Sequence, residues 1–204
     1  MGKNYVESSL KRFLKRKVKI TMGFVVAFMI TGVVSIGAEH SSPIEVSDED
    51  IKVENDEIFT SNIEKQEGQS HAISAVNKGK ISINSNNIDI IVKNEKGNSF
   101  GAIAETGGIV NLGNEKTEKI KIISNVKNDG WVIGLYLDSK GKMNLKAKEV
   151  IIEANGGKES GSHGIYCITK TTVDRDVSKI KIDADKTVIK VGKEGSSRGI
   201  VLGQ

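Results

Sequence analysis

The chain has 204 residues, 30 basic against 26 acidic, and only 4% aromatic side chains. Its formal charge of +4 comes from the first 38 residues, where seven bases face one acid and leave the remainder at −2, so the basic balance does not point to a nucleic-acid partner. A single cysteine, Cys167, excludes an internal disulfide, so a domain built from this chain must be held by burial and backbone pairing.

The N-terminal stretch has three parts. Met1 to Lys19 is basic, Ile20 to Ile36 is an uncharged apolar run, and Gly37-Ala38 is a small-residue exit. That order is the pattern of a secretory signal peptide, with cleavage expected after Gly37 or Ala38. The apolar run of 17 residues also meets the lower length limit for a membrane anchor, about 17 residues. The polar content at Thr21, Thr31 and Ser35 and the small exit favour cleavage. Both readings place the rest of the chain outside the cytoplasm.

Residues 39–67 hold ten acids against Lys52 and Lys65, together with the chain's one proline, Pro43. Such a charge block reads as a solvated leader or linker. Ile44-Glu45-Val46 and Ile51-Lys52-Val53 alternate with period two, which allows a first strand capping whatever follows. Asp48-Glu49-Asp50 lacks the glycine turn and spaced oxygens of a calcium loop, so no metal is expected there.

From Gly68 to Gln204 the composition changes to short alternating apolar runs separated by Gly, Asn and Ser. Ile81-Ser82-Ile83, Ile88 to Val92, Ile120 to Ile123, Val150 to Ile152, Ile180 to Ile182 and Val188 to Val191 are the plainest. Alternation with β-branched residues predicts half-buried strands. A small residue followed by a branched apolar one recurs at Ala72-Ile73, Ala102-Ile103, Gly134-Leu135, Gly164-Ile165 and Gly199-Ile200, at intervals of 30, 32, 30 and 35 residues. A period in this range predicts stacked repeats. With three strands per copy, the expected fold is an all-β, right-handed parallel β-helix over 68–204; a propeller blade would need four strands and about 40 residues.

Within the copies, Gly79-Lys80-Ile81 aligns with Gly108-Ile109-Val110 and with Gly141-Lys142-Met143. In the fourth copy Thr171-Thr172-Val173 takes that place. The expected interior rows are therefore Ile73, Ile103, Leu135, Ile165 and Ile200, and Ile81, Val110, Met143 and Val173. Gly113 to Lys119 and Asn155 to Ser160 are the expected loops.

Candidate chemistry is sparse. Cys167 beside Ile165 and Ile168 reads as a buried small side chain; its functional alternative is a nucleophile paired with His163. His71 and His163 share a repeat position, but intervening copies should hold them too far apart for a metal. Gly161-Ser162-His163-Gly164 has a loose likeness to the Gly-His-Gly segment of β-helical pectin hydrolases. Asp174 and Asp176 would be its paired carboxylates, as glycoside hydrolysis requires. The aromatics after residue 38 are Phe59, Phe100, Trp131, Tyr136 and Tyr166, too few for a base-stacking groove. No cofactor and no metal is expected, and the catalytic reading of His163, Asp174 and Asp176 is the alternative to a chain without an active site.

Taken together, KRFLKRKVKITMGFVVAFMITG and the glycine-led repeats resemble the autotransporter (type V secretion) proteins of Gram-negative anaerobes. That resemblance implies export through the inner-membrane machinery and display of a β-helical passenger at the cell surface or outer membrane. The expected role is adhesion or scaffolding, with a glycan or protein on an opposing surface as partner. A secreted β-helical polysaccharide lyase or glycoside hydrolase is the alternative. The family's translocator barrel, with strands of about 9–11 residues and aromatic girdles, is not found in this sequence, which reads as an N-terminal fragment of a longer protein.

Overall fold

The alternating runs pair in parallel, each copy stacked in register on the one before it. The computed structural model describes residues 39–156, 161–168, 177–192 and 196–203, and among these there is no helix. The basic and apolar stretch 1–38 lies outside them.

The strands are β1 (Glu39–His40), β2 (Ile44–Ser47), β3 (Asp50–Glu67), β4 (Ser70–Val76), β5 (Lys80–Lys96), β6 (Ser99–Ala104), β7 (Ile109–Leu112) and β8 (Lys119–Val126). They continue with β9 (Val132–Leu137), β10 (Lys142–Lys146), β11 (Glu149–Asn155), β12 (Ser162–Ile168), β13 (Lys179–Asp183), β14 (Lys186–Val191) and β15 (Ser197–Gly203). Six of them form one sheet in the order β15-β12-β9-β6-β4-β2. The second sheet runs β13-β10-β7-β5-β8-β11-β14, with β3 beside β5. The long β5 pairs with both β7 and β8, because in later copies its equivalent is interrupted by a loop, first at residues 113–118. The chain is thus an all-β parallel solenoid, with three strand segments per rung from β6 onward.

Identical turns join the two sheets. Asn77 and Lys78, Thr106 and Gly107, and Ser139 and Lys140 each have two successive positive φ angles, between 48° and 79°. Each turn closes by an N–H donated to the carbonyl three residues back, from Gly79 to Val76, Gly108 to Glu105 and Gly141 to Asp138, at 2.8–3.0 Å. This is the type I′ pattern. The turns also bond to one another, Lys78 N–H to the Thr106 carbonyl and Gly107 N–H to that of Ser139.

The interior is built of like-over-like rows. Ile81, Val110 and Met143 stack as expected, and so do Ile90, Ile122, Ile152 and Ile189. At the start of the coil, β1 lies over β3, and the buried His40 ring stacks on Phe59 at 5.2 Å. At the other end Ile200 and Leu202, in inward rows, are 55% and 74% exposed.

Three expectations are corrected. Residues 39–67 are more than a leader or linker: β2 pairs with β4 and β3 with β5, so the alternating runs at Ile44 and Ile51 do form strands capping the array. The acids whose side chains are described sit at outward positions, while Val46, Val53, Phe59 and Ile63 are buried. Alternation therefore outweighs the segment's net charge.

The second correction is one of register. Ile73 pairs with Ala102, which pairs with Leu135, so Ala102 holds the interior position and Ile103 does not. Of the two small residues Gly101 and Ala102, it is Gly101 that aligns with Gly134. A Cβ at Gly101 would overlap Ile122 and lie 2.6 Å from the Gly134 carbonyl oxygen. A one-residue slip moves a side chain to the other face, and Ile103 accordingly packs outside with Phe100 and Ile133.

The third concerns the fourth copy. β10 pairs with β13, Met143 against Ile180 and Leu145 against Ile182, so Ile180 occupies the row expected for Val173. Val173 itself, with Asp174 and Asp176, lies outside the described residues.

Candidate functional site

The outer face of the six-stranded sheet changes character along the coil. One outward row runs His71, Phe100, Ile133, His163, Arg198. A second runs Glu45, Ser74, Ile103, Tyr136, Tyr166, Val201. At its early end this face is polar, where the Glu45 carboxylate meets His71 Nε2 at 2.5 Å. Over β6, β9 and β12 it becomes aromatic.

Four of the five aromatics after residue 38 converge there. Tyr136 and Tyr166 stack nearly parallel, 5.9 Å apart at 7°. Phe100 meets Tyr136 edge-on at 5.5 Å. Trp131, just ahead of β9, contacts the His163 ring at 5.4 Å and stands edge-on to Tyr166 at 6.2 Å. His163 and Tyr166 lie 5.3 Å apart. Offset and edge-to-face contacts of this kind add about 0.5–1.5 kcal/mol per pair beyond area burial.

The electrostatics follow from this packing. Burial, then the negative charges of Asp138 and Glu105, push the Tyr136 phenol up to about 12. The Tyr136 hydroxyl donates to Asp138 at 3.5 Å. Burial and the neighbouring positive Arg198 lower His163 below its ordinary value, which favours the neutral ring. His163 is 4% exposed, and its Nδ1 has no hydrogen-bond partner.

The predicted site residues fare differently. His163 is part of this face, whereas Cys167 points inward in a row with Leu137 and Leu202, so the two cannot act as nucleophile and base. Burial, then Asp138, raise the Cys167 thiol, which suits an inert core side chain. His71 and His163 do share a row, separated by Phe100 and Ile133, and no group of metal-ligating side chains forms among the described residues. Asp48 is a turn residue with φ 57° whose carboxylate accepts from the Ser47 hydroxyl. Asp174 and Asp176 lie outside the described residues, so the face offers His163 without them.

Scarce in the sequence, the aromatics are brought together by the stacking of the rungs. The signal was present in Gly134-Leu135-Tyr136 and Gly164-Ile165-Tyr166, where tyrosine repeats two residues after the close-packed glycine.

No family model, curated protein or solved structure matches the chain. The face therefore has to be interpreted from its own chemistry. Rings with apolar bodies and polar tips suit a surface that binds.

Proposed function

We propose that this chain is an exported β-solenoid, displayed at the cell surface as a passenger segment of the autotransporter type, with a role in adhesion or scaffolding. The observation that carries the reading is the aromatic face over β6, β9 and β12, with Trp131 exposed at its edge. Stacked repeats present extended lateral surfaces of this kind for binding. The basic and apolar N-terminal stretch supports engagement of the inner-membrane export machinery, with a translocator barrel as the further export partner. Parallel crossover connections favour a right-handed coil.

The test is display and adherence. Protease added to intact source cells should remove the chain, and beads carrying the full chain should adhere to cells or matrix through the aromatic face. Protection from protease, or adherence no greater than that of uncoated beads, would reject the proposal. Cleavage of a polysaccharide that is lost in Asp174→Ala or Asp176→Ala would make the protein an enzyme instead.

A further inference from the structure

Among the described residues, the aromatic face is exposed at the edge that Trp131 forms. Trp131 is 49% exposed, while Phe100 and Ile133 are buried and the two tyrosines half-buried. Gly161 lies beside the indole: a Cβ built there would sit 3.9 Å from Trp131 Cδ2 and 3.8 Å from His163 Nε2. Those are ordinary contacts, and the backbone at Gly161 is in a region open to any residue. The internal glycines differ: at Gly101, Gly134 and Gly164 a side chain would overlap the neighbouring isoleucine. Gly161 is thus the glycine whose missing side chain leaves a notch over an aromatic ring rather than room for the core.

Two polar features border that notch. His163 Nε2 faces it, and the orphaned Nδ1 lies behind in the cluster. A buried polar atom left unpaired is costly. The least costly neutral arrangement puts the proton on Nε2, as a donor toward the notch, with only a lone pair buried at Nδ1. One rung further along the same row is Arg198, exposed and without an ion pair among the described residues. Several lysines of the other sheet contrast with it, being paired across rungs as in Lys93–Glu64, Lys148–Glu118 and Lys190–Glu153.

We infer that the notch bounded by Trp131, Gly161 and His163, with Arg198 one rung on, binds a sugar residue bearing a carboxylate. The inference rests on reading this face as a binding surface and names its ligand class. The apolar C–H face of a pyranose covers the indole, a ring hydroxyl accepts from His163 Nε2, and Arg198 takes the carboxylate. Arg198 lies one rung spacing, about 4.8 Å, beyond His163 and two beyond Trp131, so the indole and the charge flank the histidine from opposite sides. A stable protein interface buries about 800 Å² per partner; here the freely exposed apolar surface is one indole, which suits a small ligand.

Trp131 is the only tryptophan in the chain, so its fluorescence reports occupancy directly. The full chain is titrated with sialyllactose and trigalacturonate as acidic sugars, lactose as an uncharged sugar, and hexaglutamate as an anion without a sugar ring. A saturable indole response to either acidic sugar is expected, at least ten-fold weaker for lactose and for hexaglutamate. Arg198→Gln should weaken the acidic sugar ten-fold or more and leave lactose unchanged, and Gly161→Leu should abolish the response while keeping the wild-type circular dichroism. No saturable response to either acidic sugar, an Arg198→Gln affinity equal to wild type, or hexaglutamate binding as tightly would each overturn the assignment, the last in favour of an acidic peptide. If Gly161→Leu fails to fold, Arg198→Gln decides. Beads whose adherence survives Arg198→Gln would leave the adhesion proposal standing and remove this one.

Discussion

Gly134 lies directly against Ile152 across the interior, and a Cβ placed on it would also come 2.6 Å from the backbone oxygen of Gly164 in the next rung. Neither neighbour can retreat cheaply, since Ile152 is fully buried and the oxygen belongs to a paired strand. Gly134→Ala should therefore destabilise the solenoid by about 1–3 kcal/mol, the cost of overpacking a filled core. Gly161→Ala, where a methyl meets only ordinary contacts, should stay within about 0.5 kcal/mol of wild type. Urea unfolding of the two variants checks the contrast; equal midpoints would mean the glycine row is not tightly packed.

The same row decides what an aspartate does on either side of it. Ile165 stacks between Leu135 and Ile200 in the core, so Ile165→Asp buries a carboxylate without a partner, a penalty of several kcal/mol at least. Ile103 packs on the outer face beside Tyr136; it is covered by side chains rather than by the opposite sheet, so a carboxylate there needs only local repacking to reach water. Circular dichroism and limited proteolysis should show Ile165→Asp unfolded or cut and Ile103→Asp folded, with a lowered melting temperature. Both variants unfolding would restore Ile103 to the interior.

These two positions show where the sequence was legible. Strand alternation identified the fold class, because a period of two survives in every rung, even the acidic first one. Register was harder to read. Phe100-Gly101-Ala102-Ile103-Ala104 offers two small residues in succession, and only the space between Ile122 and Gly134 selects the first of them. The extra residues ahead of β13 shifted the Val173 assignment for a similar reason, since an insertion carries no pattern of its own. The aromatic face left only a faint trace, the repeated tyrosine after the close-packed glycine, because the ring contacts that build it, such as Phe100–Tyr136 and Tyr136–Tyr166, join residues about a repeat apart and form only when the rungs stack.

Cys167 provides a chemical test of that stacking. Its thiol is buried in the row with Leu137 and raised above its ordinary value by burial. Native chain at pH 8 should react with an aromatic disulfide reagent far more slowly than the urea-unfolded chain, by at least a hundred-fold. Rapid stoichiometric reaction in the folded state would place the thiol on the surface and reopen its pairing with His163.

His40 closes the early end of the interior, lying over Ser61 with its ring on Phe59 and its Nε2 unpaired. Burial lowers its pKa below the ordinary value of 6.5. The unfolded chain therefore takes up a proton at this ring before the folded chain does, so His40 contributes stability above about pH 6.5 that is lost as the pH falls toward the lowered folded-state value. The melting temperature should drop between pH 7.5 and 5.5, and His40→Phe, which keeps an apolar ring against Phe59, should show a shallower drop over that interval. His163 shares the direction of shift and remains in both proteins, so the difference between their slopes isolates the cap. Parallel slopes would mean that His40 is already solvated, and that the first rung ends in an open strand rather than a sealed one.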